Sequence, residues 1–137
     1  MRKTCRLQID YDAFCRLWCG IFYPMEGMEE LVTGLDRRVT VGLLSDTDPL
    51  HWNFIIRRWP WIGTLQRPTL SYQIGVMKPS PAIYLAAARR VKTPPQNCLY
   101  IDDLEDNVQG ARVVGMTAVR FENVPQLKMI LNELKLL

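Results

Sequence analysis

Hydrophobic and polar positions divide the chain at about residue 39. Beyond it, short β-rich apolar runs alternate with segments of helical spacing. Residues 39–44 form the first run and lead into Ser45, Asp46, Thr47, Asp48 and Pro49, which read as a loop, a helix N-cap and a proline at the first helical position. The spacing predicts a helix over 50–57, a stretch over 58–68 broken by prolines and glycine, and a weaker strand over 69–74. Ser80 and Pro81 repeat the cap-and-proline signature and open an alanine-rich helix to about Val91, which Pro94 and Pro95 stop. Residues 98–101 make a third strand ending in Asp102 and Asp103. A helix over 106–114 closes at Gly115, a fourth strand covers 117–121, and Asn123 precedes an amphipathic helix over 126–136.

Nearly continuous apolar strands, each followed by a helix, predict an α/β fold with a mostly parallel sheet covered on both faces. Before residue 39 the pattern is helical, with segments over 13–22 and 25–35 separated at Pro24. Their aromatic and thioether side chains (Phe14, Trp18, Phe22, Tyr23, Met25, Met28) are expected to pack in the core.

A chain of 137 residues suits one domain, spanning 1–137, and a domain of this size buries roughly two-thirds of its unfolded surface. Its charge, 17 Lys+Arg against 14 Asp+Glu, is +3, and the basic residues never cluster beyond pairs, so nucleic acid is not an expected partner. No apolar run approaches the roughly 18 residues of a membrane span, and no hydrophobic stretch follows the basic start, so neither a membrane segment nor a signal peptide is expected. Cys5, Cys15, Cys19 and Cys98 form no CxxC pair and His51 is the single histidine, which speaks against zinc and for free thiols in a reducing cytoplasm. His51 itself is expected to be a packed or surface side chain near the start of its helix.

In parallel sheets ligands bind beyond the carboxyl ends of the strands. Those ends carry Ser45 and Asp46, then Lys78 shortly after the second strand, then Asp102 and Asp103. Adjacent carboxylates repel, and a hard divalent cation relieves that repulsion; Mg²⁺ takes one or two carboxylates plus water and a phosphate oxygen. A lysine stiffened by Pro79 can neutralise a phosphate or a carboxylate nucleophile, and a hydroxyl with the next backbone N–H can grip a phosphate oxygen. Taken singly, each residue also reads as a turn, a loop or a cap.

Together, the segments LLSDT, GVMKPSPAIY and CLYIDDLEDNVQGARVVGM resemble motifs II, III and IV of the haloacid dehalogenase superfamily, over roughly residues 40–121. The intervals are 33 residues from Ser45 to Lys78 and 25 from Lys78 to Asp103. Residues 13–38 look similar to the cap-like helices preceding motif II in the phosphatase-like branch. The resemblance implies a Rossmann-like three-layer α/β/α core over 39–137 performing Mg²⁺-dependent phosphoryl transfer through an aspartyl-phosphate. Ser45 would bind the phosphoryl group, Lys78 would hold it and the nucleophile's charge, and Asp103 with Asp102 would ligate the metal. Asn107 would orient the loop. Asp46 stands where asparagine is usual and adds a negative charge beside the anion site.

The superfamily's first motif, a buried strand ending in Asp-x-Asp-x-Thr, has no good match. The nearest, Asp10-Tyr11-Asp12, is followed by Phe14 in place of threonine and preceded by an alternating apolar and polar run. Asp10 is therefore either the attacking nucleophile or the N-cap of the helix over 13–22. Unless residues 4–9 fill the place of that strand, the strands ending at Ser45 and Asp102 would not be neighbours, leaving unpaired backbone edges in the core. Two function classes follow. One is a phosphatase acting on a small phosphate monoester, inactive as this chain if Asp10 does not attack. The other is a truncated or degenerate member that binds phosphate, metal or a partner chain, with the apolar run at Arg58–Ile62 as a contact surface or buried under a loop. A receiver-like signalling domain fits less well, because the acidic pair follows a late strand. Self-association stays open.

Overall fold

The computed structural model describes residues 8–137. Its first element, α1 (Tyr11–Cys19), starts where the Asp10 side chain accepts from Ala13 N at 2.7 Å, so Asp10 is its N-cap. After α2 (Met28–Asp36) come β1 (Gly42–Ser45), α3 (Pro49–Arg58), α4 (Pro60–Thr64), β2 (Gln66–Leu70) and the single turn α5 (Ser71–Ile74). The remainder alternates strictly: α6 (Pro81–Arg90), β3 (Leu99–Asp102), α7 (Glu105–Val113), β4 (Thr117–Arg120) and α8 (Val124–Glu133).

β1 pairs with β2 and β3 with β4, both in parallel, as separate two-stranded sheets. Two apolar layers sandwich them. On one side Ile83 and Tyr84 of α6 and Val108 and Ala111 of α7 pack against Leu44 of β1 and Tyr100 of β3. On the other, Leu31 and Leu35 of α2 and Leu127 and Leu131 of α8 pack against Val41, just before β1, and Leu99 and Ile101 of β3. This is the expected α/β/α layering, with a break between β1 and β3. Among the described residues, no strand lies in that break. The expected strand over 4–9 falls, through residue 7, outside the described residues, and Gln8, Ile9 and Asp10 are not in a strand.

Two expectations are corrected by the backbone. The strand predicted over 69–74 ends at Leu70, and Ser71–Ile74 turn into a helix that stops at Gly75, whose φ of 82° is the left-handed conformation glycine favours. β2 begins earlier than expected because it is an outer strand, where Pro68, lacking an N–H, is tolerated. Within the predicted broken stretch over 58–68, Pro60 takes the first position of α4. Trp59, Trp61 and Ile62 there are half-buried, and the Arg58 guanidinium lies 5.6 Å from the Trp59 ring centre.

The aromatic stripe before residue 39 also departs from expectation. Phe14, Phe22 and Met28 are half-buried, but Tyr23, Met25 and Trp18 are exposed (84%, 52% and 46%). α1 packs on α3. No helix among them is long and apolar enough to cross a membrane.

Candidate active site

β1 and β3 deliver their carboxyl ends to one place because Lys78 binds both. Its backbone N–H donates to Asp46 Oδ1 at 3.1 Å, directly after β1, and its ammonium meets Asp102 Oδ2 at 2.8 Å, at the end of β3. The lysine therefore bridges the break between the two sheets. Behind it, Gly110 of α7 lets the helix approach closely: a Cβ there would lie 2.8 Å from the Pro79 carbonyl oxygen and 2.9 Å from the Tyr84 ring.

Asp102 is the most heavily bonded carboxylate of the group. Oδ2 accepts from Lys78 Nζ and from the Tyr100 hydroxyl at 2.5 Å; Oδ1 accepts from Leu104 N and Asn107 Nδ2, each at 3.0 Å. Burial alone would push this acid up, but the four donors outweigh it and hold the carboxyl down at about 2. Tyr100 is pushed the other way by burial and by its bond to Asp102, so its hydroxyl stays protonated and donating. Tyr84, edge-on to Tyr100 at 5.2 Å, is pushed up to about 12 by burial and by the charges of Asp102 and Asp46, and donates to the Asn107 carbonyl.

The other expected site residues are more open. Ser45 ends β1 half-buried, and no hydrogen bond to its hydroxyl is found among the described residues. Asp46 spends one oxygen on the Lys78 loop, a tethering role that its position as a replacement for asparagine did not suggest. Asp103 is exposed; its carbonyl accepts from Arg120 Nε, and its carboxylate has no hydrogen bond among the described residues. Asn107, expected to orient the loop, is buried and donates its side-chain N–H to Asp102 Oδ1. Asp10 is exposed and serves α1 as its cap.

As bonded here, Asp102 has no acceptor position to spare for Mg²⁺, whereas the exposed carboxylate of Asp103 is free of hydrogen bonds among the described residues. Two carboxylate oxygens offer about four lone-pair sites, and four donors already fill those of Asp102. No trio of His, Cys, Asp or Glu able to hold a metal comes together among the described residues.

Two contributions escaped the sequence reading. Ser71, buried at the start of α5, accepts from Thr47 N at 3.0 Å and donates to Thr47 O at 3.1 Å, fixing the loop that leaves β1. Its only signal was its place after an apolar strand. Tyr100 lies in the run over 98–101 that read only as an apolar strand; its alternation with Asp102 on β3, pointing to the same face, was the available clue. His51 is a packed histidine, as expected: Nε2 lies 2.9 Å from the Trp18 carbonyl, Nδ1 3.2 Å from Asp48, and its ring stacks on Trp18 at 5.0 Å. It joins α1 to α3 instead of facing Lys78.

Comparison with known proteins agrees with this architecture. A phosphatase of Mycobacterium tuberculosis is 32% identical over 82% of this chain and 49% of its own length. A D-ribitol-5-phosphate phosphatase of Bacteroides thetaiotaomicron is 26% identical over 87% of this chain and 61% of its own. The chain thus spans about half the length of the curated relatives it matches. The solved structure of a HAD family enzyme from Bacteroides thetaiotaomicron, in complex with magnesium and inorganic phosphate, superposes with a TM-score of 0.77 at 22% identity, over 85% of this chain and 63% of that one. The family model for haloacid dehalogenase-like hydrolases matches residues 5–115, and the chain belongs to that family.

Proposed function

We propose that the rim formed by Ser45, Lys78 and Asp102 handles the phosphoryl group of a small phosphate monoester, as in a phosphatase of this family. One observation carries the reading: a single lysine, held by Asp46 through its backbone and by Asp102 through its ammonium, ties together the carboxyl ends of two parallel strands. An ammonium has three N–H donors, and Asp102 takes one. The other two are available to phosphoryl oxygens, as is the Ser45 hydroxyl. Asp102 aims the lysine; Tyr100 and Asn107 keep Asp102 in place. Asp46 sets a negative charge beside this grip, which weakens anion binding unless a cation or a proton compensates. Cytoplasmic residence and Mg²⁺ dependence belong to the same proposal, with Asp103 as the rim carboxylate that has no other partner among the described residues.

A second reading, binding without turnover, is favoured by Asp10. The acid offered by the sequence as nucleophile is occupied as a helix cap. Uncatalysed monoester hydrolysis is among the slowest of reactions, so a charge clamp without an attacking group would give almost no rate.

The test is phosphate release from p-nitrophenyl phosphate with and without Mg²⁺, beside calorimetric titration with orthophosphate. Mg²⁺-dependent release lost in Ser45→Ala at unchanged melting temperature supports the first reading. Asp10→Asn then decides the nucleophile: activity that survives excludes Asp10, and activity lost with the fold intact supports it. Saturable orthophosphate binding without release supports the second reading. Neither release nor binding removes the site.

A further inference from the structure

Between α1 and α3 lies a cleft that the rim does not use. The two helices meet where α1 ends and α3 begins: Trp18 Nε1 donates to Asp48 Oδ2 at 3.5 Å, and His51 Nε2 lies 2.9 Å from the Trp18 carbonyl oxygen. Asp48 follows Asp46 by two residues, so this clasp is the end of the helix pair nearest the rim. Away from it a cavity of about 380 Å³ runs along α3 to its last turn, and none of Ser45, Asp46, Lys78 or Asp102 lines it. Sites that hold small molecules span about 300–1,000 Å³, and this one falls at the small end.

Its lining divides by chemistry. Cys15 and Cys19 of α1, with Leu50 and Phe54 of α3, make an apolar floor; Cys19 is buried and the other three are half-buried. Arg16 of α1 and Arg57 and Arg58 of α3 also line the cavity, and all three are exposed, so they form its mouth. None of them forms a salt bridge among the described residues, although every Asp and Glu of the chain lies within those residues. A helix dipole accounts for a cation in the last turn of each helix. It does not account for three guanidinium groups, drawn from two helices, around one apolar recess without a carboxylate to balance them. Like charges gathered over a low-dielectric wall repel one another and favour an anion between them.

We propose that the cleft between α1 and α3 binds a small organic anion with an apolar body. The floor offers thiol sulfur, aliphatic carbon and an aromatic ring, which suit a ring or a short chain. The mouth offers planar N–H forks, which match an anionic oxygen pair bidentately and keep their charge at any working pH. An inorganic anion would leave the floor unfilled, and a neutral hydrocarbon would leave the three cations unbalanced. The charge and the apolar surface together select a ligand carrying both.

The test titrates the whole chain with 2-naphthoate, with its neutral isostere 2-naphthamide and with acetate, read by calorimetry. 2-Naphthoate should bind with one-to-one stoichiometry and at least about tenfold more tightly than 2-naphthamide, and acetate should not saturate. Arg16→Gln and Arg57→Gln, both at exposed positions, should each bring 2-naphthoate towards the affinity of 2-naphthamide and leave the latter unchanged. The rate at which iodoacetamide alkylates each cysteine reads the location: saturating 2-naphthoate should slow Cys15 several-fold and leave Cys98, which does not line the cleft, unchanged. Equal affinity for the acid and the amide would overturn the proposal, as would binding that leaves Cys15 unprotected or the absence of saturable binding. Ser45→Ala, at the rim, should leave 2-naphthoate binding as it is; a loss there would join the cleft to the rim and overturn the proposal equally. None of these outcomes depends on phosphate release, so this proposal and the phosphatase reading can fail separately.

Discussion

The two sheets of this protein serve one rim with different stiffness. β3 and β4 pair through four consecutive residues without a shift, and β3 ends in a carboxylate whose every acceptor position is used. β1 and β2 pair with a register shift between Gly42 and Leu44, and β2 passes through Arg67 at a φ of 54° and then Pro68. Charge geometry, costly to assemble in the presence of substrate, is built into the tighter half. The hydroxyl grip and its loop sit on the looser half, held by two hydrogen bonds with the Ser71 hydroxyl and one from the Lys78 backbone. Electrostatic preorganisation at the β3 end with adaptability at the β1 end is a sensible division for a site receiving a charged group.

Replacing one residue in each half is the strongest test of that contrast. Lys78→Met leaves the Asp102 carboxylate (side chain 7% exposed) with three hydrogen bonds and no counter-charge. Breaking a buried pair from one side costs about 3–5 kcal/mol, and the remaining donors put the expected loss at the lower end. Asp46→Ala removes a single acceptor from a half-buried backbone N–H and should cost about 1 kcal/mol. Urea unfolding of both variants checks the ratio; equal losses would erase the distinction between the halves.

Acid should select the β3 half first. The Asp102 pKa is lowered in the fold, to about 2, from the ordinary carboxylate value near 4. Its contribution is therefore complete above the unfolded value and fades as pH falls from roughly 4 towards about 2, amounting to about 2 kcal/mol. Asp48, also lowered, chiefly by the His51 backbone N–H, adds a loss in the same direction at the α1–α3 junction. Unfolding free energy measured against pH should flatten below pH 4 in Asp102→Asn relative to the parent chain.

How far the sequence revealed this site follows the same division. Lys78, Asp102 and Asn107 were legible only through their order, which matched a known series of motifs, because taken singly each reads as a turn, a loop or a cap. The extra bond from Tyr100 was hidden because a tyrosine in a buried strand packs equally well without a polar partner. The alternation of strand and helix from residue 39 gave the layers, since periodicity is local. The exposure of Tyr23 and Met25 was not legible, because apolar composition says that a helix needs a partner and not whether one is present. The bounds of β2 failed for a tertiary reason: an outer strand tolerates a proline that reads, locally, as a break. The break between β1 and β3 among the described residues was foreseeable only as a consequence of a poorly matched first motif.

Glycine substitutions probe the two halves more gently. At Gly110 an added Cβ meets a backbone oxygen and a buried ring that cannot both retreat, so Gly110→Ala should cost about 1–3 kcal/mol and loosen Pro79, the residue after Lys78. At Gly42, on β1, the nearest atom is the side-chain Cγ1 of Val91 at 2.6 Å, a β-branched methyl with few rotamers to retreat into but no backbone behind it within 4 Å, and the cost should be about 1 kcal/mol. At Gly34, inside α2, nothing lies within 4 Å, and alanine should stabilise by roughly 0.5–1 kcal/mol. Thermal unfolding of the three variants orders them Gly34→Ala above the parent, then Gly42→Ala, then Gly110→Ala. Reversal of the last two would show that the β1 side is the more tightly packed.

A further small effect tests the loop that carries the hydroxyl grip. Ser71→Ala deletes both an acceptor for Thr47 N and a donor to Thr47 O, each half-buried, and should cost about 1 kcal/mol. Because Thr47 follows Ser45 and Asp46 directly, the loss should also weaken orthophosphate binding several-fold, whereas the chemical environment of Asp102 stays unchanged. Amide and side-chain NMR shifts of Tyr100 and Asn107 provide the control. If those shifts move with Thr47, the loop after β1 and the end of β3 respond as one body, and the stiffness difference between the halves is not what divides the work at this rim.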